Sequence, residues 1–235
     1  MFFVTPSELQ ALELSLKVAF WAMFGSLPPA LFLAWLLSRV SFPGKMLVDA
    51  AVHLPLVLPP VVVGYVLLLT LGRRGPIGAF LDHYFGIVFA FRWTGAALAS
   101  AVMGLPLMVR AMRQSLDAVD RGLEAAATTL GASRSWVFTS VTLPLVLPGI
   151  VTGMLLGFAR SLGEFCATIT FVSNIPGETQ TLPLAIYAFT QVPGGEGAAA
   201  RLCVLAVALS FAALLASEVL LRRAQRAVFG HADRG

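Results

Sequence analysis

Charge is what this 235-residue chain most lacks. Asp, Glu, Lys and Arg make up 12% of it, against 58% hydrophobic residues, whereas a soluble globular domain carries about 25% charged residues. Half the usual charge cannot cover a water-exposed globular surface, so the composition places the chain in a membrane as one bundle. Lysine is nearly missing, and neither Lys17 nor Lys45 follows a GxxxxG run, which excludes a Walker A phosphate loop. Any pumping must therefore be powered by a partner. Cysteine is limited to Cys166 and Cys203, both inside apolar runs, so neither a disulfide framework nor a CxxC metal or redox site is expected. The histidines, His53, His83 and His231, lie far apart without ligand spacing such as HExxH. No catalytic constellation, metal site or cofactor motif remains, and the chain is not expected to be an enzyme.

What is present is a series of apolar runs, at about residues 12–37, 54–71, 93–109, 145–172 and 202–221. Each is near the roughly 20 residues that cross hydrocarbon as a helix. The expected fold is an all-α integral membrane protein with about five transmembrane helices in a single domain, 1–235. The first run is expected to be a retained span: MFFVTPSELQ has no basic n-region and carries Glu8, and no A-x-A site closes the run. Pro28-Pro29 should break or kink its helix by removing backbone donors. The hexapeptide LPLVLP occurs at 54–59 and again at 143–148. The flanks do not align, so this is no internal repeat; each copy is expected to open a span, proline being tolerated at helix starts. Residues 72–92 read as an external loop with a short surface helix, and 173–199 as a Pro/Gly-rich loop with an interfacial helix in its middle.

Positive residues fall unevenly at the span ends. Arg39, Lys45, Arg110, Arg113, Arg121, Arg134, Arg222, Arg223, Arg226 and Arg234 share one side; Arg73, Arg74, Arg92 and Arg201 share the other. The positive-inside rule makes the first side cytoplasmic, with the N-terminus outside and both the C-terminal tail and the loop at about 114–144 inside. The net charge of +4 thus reports orientation rather than nucleic-acid binding.

Within that loop, Glu124 to Leu130 favour a short helix, and Gly131 stands where a C-terminal stop belongs. Leu123, Ala126, Ala127 and Leu130 have the spacing of one helical face. A docking helix and an ordinary solvated loop helix both fit this periodicity. Arg160 and Glu164, at i and i+4 in the fourth run, should share a helix face near mid-bilayer, where a charge costs about 2.5–3.5 kcal/mol. They should face the bundle interior or a wet cavity. Two readings stand together: an ion pair that locks packing, and an Arg160 that adds positive potential to an anion pathway.

The stretch 123–148, LEAAATTLGASRSWVFTSVTLPLVLP, resembles the EAA loop of permease subunits in binding-protein-dependent ABC importers. Anchored on Gly131, Val141 takes the motif's Ile slot and Leu143-Pro144 fall in register. Ala126-Ala127 then form the alanine pair and Ala125 occupies the acid's slot. Glu124 stands one residue early, about 100° around a helix. FPGK at 42–45, HLPLVLPPVVVGY at 53–65 and FARSLGEFCATITFVSNIPGETQTLP at 158–183 are similar to the molybdate, sulfate and tungstate branch, with Cys166 where that branch is expected to carry Gly. The resemblance implies a type I ABC importer permease-like fold in the inner membrane of a prokaryote. It implies that Leu123, Glu124, Ala125, Ala126, Ala127, Leu130 and Gly131 form a coupling helix that docks on an ATPase, with contact mainly through the small residues and Gly131. It further implies a homodimer with a pore between its subunits, two cytoplasmic ATP-binding subunits, and an external oxyanion-binding protein docking on 72–92 and 173–199. The implied cargo is molybdate, with sulfate or tungstate as alternatives. An ATP-independent channel or secondary transporter would need its own selectivity filter or inverted repeats, and the sequence displays neither.

Overall fold

A capping box starts the first helix, α1 (Pro6–Arg39): the Thr5 hydroxyl accepts from the Glu8 N–H, and the Glu8 carboxylate accepts from the Thr5 N–H at 2.7 Å. The computed structural model describes residues 5–229, so His231 and Arg234 lie outside the described residues. The 34 residues of α1 reach about 51 Å, well beyond the roughly 30 Å of hydrocarbon. Of the break or kink expected at Pro28-Pro29, the break does not form: the helix passes through both prolines without interruption. Its buried face includes a stripe of small residues, Ser15, Ala19, Ala22, Ser26, Ala30 and Ala34, and the helix packs chiefly on α5 (Trp93–Ala118). Close packing on both sides of the prolines keeps α1 one helix despite two missing donors.

The α5 helix is the most buried span and packs on α1 and on α8 (Leu143–Leu162). Gly149, Gly153 and Gly157, one turn apart, form the seam with α5. A Cβ at Gly149 would stand 2.1 Å from Ser115 Oγ, and one at Gly157 would stand 2.6 Å from Met108 Sδ. Small residues at such spacing let membrane helices approach closely, where dispersion rather than water exclusion holds them.

Two runs differ from the expected spans. The second, expected at 54–71, is a bent pair: α2 (Lys45–Val57) and α3 (Pro60–Leu71) meet at 113°. Leu58 (ψ 143°) and Pro59 (ψ 130°) are extended, because a residue before proline is driven out of the α region. The two LPLVLP copies therefore differ. The one at 54–59 ends α2 and turns the corner, while the one at 143–148 lies wholly within α8, where Gly149 rather than a second proline follows. The fourth run, expected at 145–172, stops at Leu162. Gly163, Glu164 and Phe165 are not helical, and α9 (Cys166–Val172) is separate. Helix α3 packs on α9, and a Cβ at Gly64 would stand 2.5 Å from the Ala167 carbonyl oxygen.

Short helices fill the loops: α4 (Pro76–Phe85), α6 (Arg121–Thr129), α7 (Arg134–Val137) and α10 (Leu182–Thr190). The α7 helix runs on through a π turn (Phe138–Thr142) into α8. The last helix, α11 (Glu196–Phe229), is tied to the start of α1, since Nε and Nη2 of Arg201 both donate to Glu8 Oε1, at 3.2 and 2.9 Å. Among the described residues, four helices are long and apolar enough to cross a membrane, or five if the bent pair counts as one.

Candidate functional site: the capped loop helix and the buried ion pair

The polar loop is built around α6. Asp120 caps it, its carboxylate accepting from the Gly122 N–H at 2.8 Å. At the other end Gly131 is left-handed (φ +88°). Its N–H donates to the Thr128 carbonyl, and the Ala132 N–H donates to the Ala127 carbonyl. This is a Schellman cap, the reason a glycine ends the helix. Ser133 then caps α7 by accepting from the Trp136 N–H.

The helix shows two faces. Glu124 and Ala127 are half-buried, whereas Leu123 (51% exposed), Ala125, Ala126 and Leu130 (88% exposed) face outward. Ala127, expected to share the outward face with Leu123, Ala126 and Leu130, is turned inward. Glu124 explains the rotation. Its Oε1 accepts from the Thr142 hydroxyl at 2.6 Å and from Arg39 Nη2 at 3.1 Å. One carboxylate oxygen thus holds α6 to the end of α1 and to the turn that opens α8. A cleft of about 1040 Å³ lies above this junction, between α1 and the π turn.

A second latch lies nearby: Arg113 pairs with Asp49 at 3.0 Å and with Asp117 at 3.7 Å, and Ser38 donates to Asp117. Sequence reasoning missed Arg39, Thr142 and this latch. Arg39 is 85 residues from Glu124, and its only local signal is that it is the charge closing the first apolar run.

Arg160 and Glu164 do meet, Nη1 to Oε2 at 2.6 Å, with the Glu164 side chain 2% and the Arg160 side chain 27% exposed. They meet across the helix break rather than along one helical face. The same Oε2 lacks an aligned hydrogen bond, so this is a charge contact. The other oxygen, Oε1, accepts from the Ala167 N–H at 2.8 Å and so caps α9. Arg160 stands 18 residues beyond Thr142, about 27 Å along the helix; the pair and the loop helix are separate sites.

A family model described as binding-protein-dependent transport system inner membrane component matches residues 26–226. The chain belongs to that family. Among curated relatives, the molybdenum transport system permease protein ModB of Escherichia coli is 62% identical over 93% of this chain and 96% of its own length. The Haemophilus influenzae protein of the same name is 58% identical over the same shares. The sulfate transport system permease protein CysT of Salmonella typhimurium is 36% identical over 96% of this chain and 81% of its own. Two solved structures share the fold. A bacterial ABC transporter involved in alginate import has a TM-score of 0.73 at 18% identity, over 94% of this chain and 81% of that one. The methionine transporter MetNI has 0.68 at 17%, over 93% and 94%. Among the described residues every regular element is helical, and this fold is shared with chains of both ABC transporters.

Proposed function

We propose that this chain is the membrane-spanning subunit of an ATP-driven importer that carries molybdate across the cytoplasmic membrane. The observation that carries the reading is the near-full-length identity to molybdenum permeases, which clearly exceeds that to the sulfate permease. Two copies would form the pore, two ATP-binding subunits would sit beneath them, and an external oxyanion-binding protein would dock on 72–92 and 173–199. The N-terminus would lie outside and the C-terminus inside.

In this reading α6 is the coupling helix, and Leu123, Ala125, Ala126, Leu130 and Gly131 meet the ATPase. Glu124 has a different task. Bonded to Arg39 and Thr142, it passes the displacement of α6 into α1 and α8 together. The Arg160–Glu164 pair holds the α8–α9 break and leaves Arg160 partly open to a passing anion. Selectivity would lie mainly in the binding protein.

The test is uptake of labelled molybdate by proteoliposomes carrying the chain, its ATPase and its binding protein, with and without excess sulfate. ATP-dependent uptake that resists sulfate is expected. Competition by sulfate at equal concentration would assign the assembled importer to sulfate, and uptake without the ATPase would make the chain a channel or secondary transporter.

A further inference from the structure

We infer that the cleft between α1 and the π turn is a binding site for an anionic phospholipid of the cytoplasmic leaflet. The inference rests on the orientation proposed above. The cleft follows α1 from Pro28 to Arg39, about 16 Å of helix and so about one leaflet of a roughly 30 Å core. Its two ends differ in chemistry. Leu31 and Phe32 form an apolar wall at the depth of the acyl chains, with Phe32 59% exposed and Trp35 next along α1 toward Arg39. Arg39, Arg134 and Thr139 line the other end, at the level of the headgroups on the side rich in arginine. The volume, about 1040 Å³, is at the top of the range for small-molecule sites. Tryptophan at the level of Trp35 suits the boundary between chains and headgroups.

Charge decides the occupant. Arg134 is exposed and has no carboxylate partner among the described residues. Every described carboxylate on the same side is already engaged within its own chain. Asp49 and Asp117 pair with Arg113, Asp120 caps α6, Glu124 holds Arg39 and Thr142, and Glu218 pairs with Arg222. Among the described residues, a second copy therefore offers Arg134 no unengaged acid, whereas the bilayer supplies phosphates at that depth. Because Glu124 and Thr128 of α6 share the cleft, its occupant sits against the proposed coupling helix.

The experiment is photolabelling of the full-length chain in phosphatidylcholine nanodiscs doped with photoreactive phosphatidylglycerol or photoreactive phosphatidylcholine, followed by peptide mapping. Phosphatidylglycerol should label 28–39 and 134–142 about five-fold over phosphatidylcholine, the preference of one arginine for an anionic surface. Arg134→Gln should erase that preference without changing labelling elsewhere. Thr139→Phe, which narrows the cleft, should reduce labelling by both lipids there. Equal labelling by the two lipids, or a preference unchanged in Arg134→Gln, overturns the inference. So does a Phe32→Cys chain that forms a disulfide with a second copy in place of lipid labelling, which would give the cleft to the dimer. No ATP, ATPase or molybdate enters the assay, so failure here leaves the transport reading standing.

Discussion

Oε1 of Glu124 is shared between Thr142 at 2.6 Å and Arg39 at 3.1 Å, so a single oxygen joins three helical segments. Glu124→Ala should therefore leave α6 capped at both ends yet loosen its tie to α1 and α8. ATP hydrolysis should continue while uptake falls, and a double-mutant cycle with Thr142→Val should give a coupling of about 1 kcal/mol. The check is the ratio of molybdate taken up to ATP consumed. An unchanged ratio would show that Glu124 carries no motion.

Gly131 offers a cleaner separation of fold from contact. A Cβ there meets nothing within 4 Å, but φ is +88°, which costs an ordinary residue about 1–2 kcal/mol. Asn, which tolerates this conformation, should be mild. A bulky acid, Gly131→Glu, should leave the chain folded and uncouple hydrolysis from uptake. Size-exclusion profile and uptake, measured on both variants, separate the two effects.

The glycines in the helix seams should rank by what a Cβ would strike. At Gly64 the obstacle is the Ala167 backbone oxygen at 2.5 Å, whereas at Gly157 it is the Met108 side chain, Sδ at 2.6 Å and Cγ at 2.9 Å. Backbone cannot step aside as a methionine can. Gly64→Ala should thus lower thermal stability more, by about 1–3 kcal/mol, with Gly157→Ala well below that. Unfolding in detergent followed by near-UV circular dichroism would report the order.

Arg160→Ala should be far worse than Arg92→Ala. Glu164 is 2% exposed, and stripping a buried carboxylate of its partner costs about 3 kcal/mol. Adding Glu164→Gln to Arg160→Ala should restore much of the folding yield, because the amide oxygen still accepts from Ala167. If uptake stays low in that rescued chain, Arg160 also serves the anion path.

Much of this architecture is legible in one sequence, and the failures have physical causes. Composition and run length fix an all-helical membrane bundle, and Gly131 is readable because a helix end needs a left-handed residue. Pro55, Pro59 and Pro60 are equally visible, but hydropathy cannot say whether prolines open a helix or turn a corner. The break at Gly163–Phe165 is harder still: it contains no proline, and apolar residues continue on both sides. Arg39–Glu124 and Glu8–Arg201 are invisible, since each pair joins residues brought together only by the packing of the spans. The small stripe on α1 could have been found by counting Ser and Ala at helical spacing. It explains why Pro28-Pro29 did not break the helix.

The π turn at Phe138–Thr142 has a mechanical consequence. There the Leu143 N–H reaches back to the Phe138 carbonyl, holding one residue more than an α turn would. Were that turn to tighten to α geometry, the surplus residue would pass along the helix. The side chains on either side of the joint would then twist by about 100° relative to one another, with a shift of about 1.5 Å. A rotary joint of that kind, set between the proposed coupling helix and the long helix leading to Arg160, would turn a small thrust into a change of which side chains face the proposed pore.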